Sequence, residues 1–181
     1  MKAPVLSSFL GAGALIAGLI LAGPLVAGPE RIAFPENFET EWVLYNQVDR
    51  ADRKRVRFIY VKPEADAEAK PGQPAPNGTV LVMADRNAKV DADENPVLDA
   101  DGRMIPEGDF TAIFVMEKQE GWGESVGLEV APNGDWDYAA FLPDGTLNPE
   151  TNTAGCFACH TRRTGKDFTF TYFQNVADRA K

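Results

Sequence analysis

The segment Cys156-Phe157-Ala158-Cys159-His160 combines residue types that can hold a metalloporphyrin. It contains both cysteines and the single histidine of the 181-residue chain. The spacing C-x-x-C-H is the attachment signature of c-type haem, in which two thiols form thioethers and the adjacent imidazole reaches the iron. The sequence therefore predicts one covalently attached haem c, with His160 as the iron ligand and no second histidine to complete the coordination.

The same residues are also compatible with two other kinds of site, a disulfide and a zinc site. A Cys156–Cys159 disulfide would suit an oxidising compartment, although so short a spacing closes a strained loop of little entropic value. A zinc site needs four ligands, so the three Cys and His residues would require an added carboxylate. The disulfide alternative would make the protein a haem-free exported binding domain.

Residues 1–27 have the layout of a secretory signal peptide. Lys2 precedes an apolar run over residues 9–21, and small residues follow up to Ala27. This order is typical of an export signal, so we expect a periplasmic or secreted protein with a haem domain over 28–181 and no stable membrane contact after cleavage. An uncleaved membrane anchor is the alternative, because residues 9–27 are nearly long enough to span a bilayer.

The charge of the chain restricts its partners. The 18 Lys and Arg residues are outnumbered by 27 Asp and Glu residues, which gives a formal net charge of −9. So acidic a protein is poorly suited to nucleic acid or to anionic lipid surfaces. A small neutral ligand or a redox protein partner with a basic surface fits better.

Alternating and β-branched segments dominate the chain beyond the leader, and helical patterns are few. Strand patterns occur at residues 55–61, 79–83, 110–118, 136–141 and 168–173. Helical patterns occur at residues 37–49 and 64–69, and another begins near Thr153 and leads into the C-x-x-C-H segment. The sequence therefore predicts a mainly β domain with a few short helices.

The chain resembles the cytochrome P-460 family, including its relative cytochrome c-prime-beta. The resemblance is carried by Gly-Cys-Phe-Ala-Cys-His at 155–160 and Lys-Asp-Phe-Thr-Phe-Thr at 166–171, and it extends upstream through 57–61, 77–83 and 114–118. It implies a cytochrome P-460-like α+β fold, mainly β, with a large antiparallel sheet and a few short helices. It also implies a homodimer and a five-coordinate haem c with His160 as proximal ligand.

The resemblance also suggests what the haem does. Family members named for their pigment oxidise hydroxylamine with a lysine cross-linked to the haem, but the matching position here is Met83, which cannot form that link. This departure favours the relatives without the cross-link, which bind nitric oxide or carbon monoxide behind an apolar distal cap. We therefore expect a cytochrome that binds nitric oxide, transfers single electrons, or does both, with hydroxylamine oxidation as the alternative.

Several further side chains are candidates for the site. Met83, Met104 and Met116 can each be a sixth ligand or a packing residue, and Met104 is predicted to lie in a loop. Arg57 interrupts an apolar strand and can meet a haem propionate or a distal ligand, or else lie on an exposed face. Glu150 can act as a distal acid or base near the C-x-x-C-H segment, or remain a solvated loop residue.

Overall fold

The computed structural model describes residues 28–125, 130–179 and 181. The predicted signal peptide at 1–27 lies outside the described residues. The strands are β1 (Val43–Arg50), β2 (Arg55–Val61), β3 (Val80–Ala88), β4 (Pro106–Lys118) and β5 (Trp136–Phe141). The α-helices are α1 (Phe38–Glu41), α2 (Pro63–Glu68), α3 (Ala154–His160) and α4 (Tyr172–Asp178). Single-turn and double-turn 3₁₀ helices occur at Pro29–Arg31, Ala51–Arg53, Trp122–Ser125 and Thr161–Lys166.

The five strands form one antiparallel sheet in the order β1-β2-β3-β4-β5, so each strand pairs with its neighbour in the chain. This confirms the predicted α+β, mainly β fold. The sequence pattern predicts the ends of β2 and β5 correctly, whereas β3 runs on to Ala88 and β4 begins earlier, at Pro106. None of the helices within the described ranges has the length and apolar character needed to cross a bilayer.

Each face of the sheet carries its own hydrophobic cluster, because successive side chains of a strand point to opposite faces. One cluster contains Phe38 from α1 packed with Tyr60 and Phe110. The other cluster surrounds the fully buried Trp136 and includes Phe157 of α3 and Tyr172 of α4. The second face therefore positions the helix that contains both cysteines and the histidine.

The helix predicted over residues 37–49 is wrong for most of its length. The helix α1 ends at Glu41, and the segment from Val43 onward is the edge strand β1. A bulge between Leu44 and Asn46 interrupts the pairing of β1 with β2. Because a bulge breaks the two-residue alternation, the spacing of the aromatic residues in this segment resembled one face of a helix.

The strand predicted over residues 168–173 is also wrong. This segment begins with a turn in which Asp167 and Phe168 both have positive φ, and α4 starts at Tyr172. The Thr169 hydroxyl accepts a hydrogen bond from the Phe173 backbone N–H and donates one to the Lys166 carbonyl. The alternating threonines therefore make local turn contacts. In the described sheet, no strand pairs with this segment.

Candidate haem-binding site

The helix α3 places both thiols and the imidazole on one side. Cys156, Cys159 and His160 occupy positions i, i+3 and i+4 of this helix, and residues at these separations share a helix face. Both cysteines are free thiols; Cys156 is partly buried against the cluster around Trp136, and Cys159 is exposed. Burial raises the pKa of the Cys156 thiol, with a smaller contribution from nearby Cys159, so Cys156 stays protonated in this structure.

The imidazole of His160 is held in one tautomer by its backbone partner. Its Nδ1 atom lies 2.7 Å from the carbonyl oxygen of Phe168. Because a carbonyl oxygen only accepts hydrogen bonds, Nδ1 must carry the hydrogen, and Nε2 of the neutral ring keeps its lone pair. Burial lowers the pKa of His160, and the hydrogen bond to Phe168 opposes this only in part. The ring is therefore neutral near neutral pH and has one nitrogen available to a metal.

Aromatic side chains fix the plane of the His160 ring. The Tyr138 ring lies 4.9 Å from it between centroids, and the Phe170 ring meets it edge-on at 5.0 Å. Tyr138 is buried and also contacts Phe157 edge-on at 4.8 Å. The imidazole is thus held between the sheet and the segment that follows α3.

Asn133 ties α3 to the sheet through a buried polar network. Its side-chain amide donates to the Tyr138 hydroxyl at 2.9 Å and to the Phe157 carbonyl at 3.0 Å. Its carbonyl oxygen accepts from the Thr161 hydroxyl at 2.7 Å. Asn133 is fully buried, so these bonds satisfy a polar group that would otherwise be costly to desolvate.

A row of side chains continues the same face of the sheet away from α3. The strand register places Ile59 opposite Met83, Met83 opposite Phe114, and Phe114 opposite Ala140. This row lies on the face of Tyr138, because Ala140 is two residues further along β5. The first three side chains are only partly buried, so the row is an apolar strip that a planar hydrophobic group could cover.

A groove of about 350 Å³ lies at the outer edge of β5. Its lining includes Ala140 of the apolar strip, Leu147 and Pro149 of the following loop, and Thr153, the residue that precedes α3. The groove therefore links the end of the apolar strip with the start of the helix that contains the cysteines.

Arg57 does not lie on an open face, because its guanidinium forms two hydrogen bonds with the Asp85 carboxylate at 2.7 and 2.8 Å. The Asp85 side chain is 3% exposed and that of Arg57 is 17% exposed. Arg57 and Asp85 are paired across β2 and β3, two residues along each strand from the Ile59–Met83 pair and therefore on the same face of the sheet. A role of Arg57 toward a propionate or a distal ligand stays a prediction.

The other candidates lie apart from the imidazole. Glu150 is exposed, and its backbone N–H donates to the Asn148 side chain; the hydrogen bonds of the described residues do not connect it with His160. Met104 is buried in a small cluster rather than free to move in a loop, and Met116 is buried in the cluster beneath α3. Both methionines are packing residues, whereas Met83 remains in the partly open strip.

The residues present fit a haem. Two unpaired thiols and an imidazole with a free Nε2 lone pair lie on one helix beside a partly open apolar strip. By contrast, no cluster of three or more Cys, His, Asp or Glu side chains within the described residues could hold a lone metal ion, so the zinc alternative gains no support there.

Sequence reasoning missed the residues that hold the histidine. Phe168 contributes a backbone carbonyl, which side-chain patterns do not predict, and the sequence did not indicate a role for Asn133. A buried pair formed by Lys118 and Asp167 was also missed. The available signal was a lysine at the end of an otherwise apolar strand, which needs a partner when it is buried.

This fold and site define a mainly β protein in which the helix with both cysteines and the histidine packs on one face of the sheet. A family model described as cytochrome P460 matches residues 35–171. That match covers well over half of the chain, so the chain belongs to the cytochrome P460 family, and membership implies a haem cofactor. None of the curated proteins matches the chain.

Proposed function

We propose that this protein is an exported mono-haem c-type cytochrome whose five-coordinate iron binds nitric oxide, transfers single electrons, or does both. The observation that carries the proposal is the hydrogen bond from Nδ1 of His160 to the Phe168 carbonyl. It leaves Nε2 as a lone-pair donor on the same helix that contains the two free cysteines.

The composition of the chain supports an iron with one protein ligand. The sequence has a single histidine, so a second imidazole from the same chain is not available. Met104 and Met116 are buried in packed clusters. The sixth position is therefore proposed to be open to a small molecule.

The apolar strip supports a preference for nitric oxide over dioxygen. Ile59, Met83 and Phe114 offer no hydrogen-bond donor from their side chains. Bound dioxygen carries charge that needs a hydrogen bond, whereas nitric oxide does not depend on one. A ligand-binding face built from these side chains would thus select against dioxygen.

Each residue of the site has a separate task in this proposal. Cys156 and Cys159 tether the cofactor through two thioethers, and Nε2 of His160 is the iron ligand. The apolar strip excludes water from one side of the ring. When bound, haem c supplies a metal that exchanges one electron and accepts a small diatomic ligand.

Hydroxylamine oxidation remains the alternative suggested by the family resemblance. It would need the cross-linking lysine, and Met83 occupies that position. No feature of the described residues favours this activity over ligand binding.

Export, a redox protein partner and a homodimer belong to the same proposal. Export follows from the leader pattern at 1–27, and the acidic charge of the chain favours a partner with a basic surface. The dimer is inferred from the family resemblance.

Absorption spectra of the ferrous protein with and without nitric oxide test the proposal. We expect a five-coordinate ferrous spectrum that changes on addition of nitric oxide, together with no turnover of hydroxylamine in the presence of an electron acceptor. A six-coordinate ferrous spectrum that nitric oxide leaves unchanged would contradict an open iron site. Sustained hydroxylamine turnover would favour the alternative function.

A further inference from the structure

We propose that the buried ion pair of Lys118 and Asp167 is a positioning device for the axial histidine and thereby sets the reduction potential of the haem. This inference rests on the proposed function, since it requires His160 to ligate iron. It concerns two residues outside the C-x-x-C-H segment and neither of them touches the imidazole directly.

The turn that presents the Phe168 carbonyl to His160 is conformationally unfavourable. Asp167 has a φ of 48° and Phe168 a φ of 56°. Left-handed backbone is tolerated by aspartate but is rare for a bulky residue such as phenylalanine. Such residues are energetically unfavourable and persist only where the surroundings hold them. Something in the structure must therefore hold this turn.

The Asp167 carboxylate accepts hydrogen bonds from two residues outside the turn. Lys118 Nζ, at the end of β4, lies 3.1 and 3.0 Å from its two oxygens. The backbone N–H of Ala75 donates to the same carboxylate at 2.8 Å. The side chains of Lys118 and Asp167 are only 10% and 11% exposed, so solvent screens their attraction weakly.

The Lys118 end of this ion pair is anchored in the sheet. The backbone of Lys118 pairs with that of Thr79 and also accepts a hydrogen bond from the Gly78 N–H at 2.7 Å. The pair therefore fixes Asp167 against the end of the sheet, and Asp167 is followed directly by the residue whose carbonyl meets Nδ1. Phe168 itself packs against the cluster around Trp136.

This arrangement has a consequence for the iron ligand. A hydrogen bond that Nδ1–H donates to a well-aligned carbonyl raises the basicity of Nε2, and outer contacts of this kind tune metal ligands strongly. A more basic ligand stabilises ferric over ferrous iron. Loss of the ion pair is therefore expected to loosen the Phe168 carbonyl, weaken this hydrogen bond and raise the reduction potential.

Two variants of the full-length haem protein separate positioning from charge. Asp167→Asn breaks the ion pair while keeping a residue type that tolerates left-handed backbone, but it also removes a negative charge near the iron. The double variant Lys118→Met with Asp167→Asn removes both charges, so the net charge is unchanged. It also leaves no unpaired buried charge, which favours folding of the variant.

The matched control is Asp66→Asn. Asp66 forms an ion pair with Arg179 and its side chain is 11% exposed, as that of Asp167 is. It contacts Tyr172 and Arg179 rather than the turn at Phe168. The Arg179 side chain is 43% exposed, so this substitution tests whether losing the ion pair of another buried aspartate moves the readout.

The measurements are the reduction potential and the iron–histidine stretching frequency of the ferrous protein. We expect both test variants to favour ferrous iron about tenfold, which raises the reduction potential by ~59 mV. The stretching frequency should fall in both variants, and Asp66→Asn should change neither quantity. The inference would be overturned if the haem-loaded double variant kept the wild-type reduction potential and stretching frequency. It would also be overturned if Asp66→Asn shifted these two quantities as much as the test variants do. A wild-type protein without haem would instead overturn the proposed function, and this inference with it.

Discussion

Met83 of β3 lies directly opposite Phe114 of β4 in the antiparallel register. Both side chains are partly buried on the face of the sheet that Tyr138 shares, and Tyr138 contacts the His160 ring. The position that the family resemblance assigns to a cross-linking lysine therefore lies in a partly open apolar strip, on the face of the sheet against which α3 packs. In the proposed function, a methionine there would line the ligand-binding face.

Truncating this methionine should leave the iron coordination unchanged. We expect Met83→Ala to retain a five-coordinate ferrous absorption spectrum, because Met83 lines the strip and the proposed iron ligand is His160. Its effect should instead appear in the nitric oxide affinity, since the truncation removes apolar contacts beside the proposed ligand site. Loss of the five-coordinate spectrum in this variant would show that the axial ligands are assigned wrongly.

Removing the imidazole of His160, by contrast, should change the iron coordination. We predict that His160→Ala keeps the covalently bound haem, because both cysteines remain, but completely loses the five-coordinate ferrous spectrum. Added imidazole should restore much of it by occupying the vacated position. An unchanged spectrum in His160→Ala would mean that another residue holds the iron. The exposed Asn87 on β3 provides a control substitution, Asn87→Ala, that should leave the spectrum as in wild type.

The Asn133 network should contribute strongly to stability. Asn133→Ala removes both amide donors and leaves the buried Tyr138 hydroxyl without its donor, which should lower the free energy of unfolding by about 2 kcal/mol. Urea unfolding followed by circular dichroism measures this loss. Asn87→Ala should change stability by less than about 0.5 kcal/mol. Similar losses in the two variants would argue against a structural role for the network.

The ion pair of Asp49 with Arg103 should make stability depend on pH in the acid range. The Arg103 guanidinium, helped by the Met104 backbone N–H, lowers the pKa of Asp49 below its ordinary value of 3.8. A lowered carboxyl pKa stabilises the fold above the unfolded pKa, and this contribution disappears as pH falls through the folded value.

We therefore expect Asp49→Asn to cost about 1 kcal/mol at about pH 7. The difference from wild type should shrink as the pH falls through the folded-state pKa of Asp49, where this carboxyl becomes protonated in the folded as well as in the unfolded chain. Urea unfolding at a series of pH values measures the difference. The exposed Asp93 provides the control, Asp93→Asn, for charge removal alone. A constant difference across this range would show that Asp49 acts through packing.

The sheet could be predicted largely from sequence because the strands β2 to β5 follow simple patterns. Trp136–Phe141 and Arg55–Val61 are apolar or alternating segments bounded by turn residues, and each strand pairs with its neighbour in the chain. The edge strand β1 escaped prediction because its bulge and its half-buried side chains obscure the alternation.

The sequence indicates only the C-x-x-C-H residues of the candidate site. Cys156, Cys159 and His160 are adjacent in sequence, so their chemistry is visible in a motif. The groups that orient the imidazole come from distant segments or from the backbone: the Phe168 carbonyl, and Asn133 through its bonds to Tyr138 and Phe157. Tertiary packing brings these groups together, and no local pattern encodes it.

The measurement that tests the central claim most directly is the intact mass of the denatured protein after expression with a haem-maturation system. We predict the mass of the polypeptide plus one haem, and the bare polypeptide mass for the Cys156→Ala, Cys159→Ala double variant. The bare polypeptide mass for the wild-type protein would contradict covalent haem attachment and the function proposed from it.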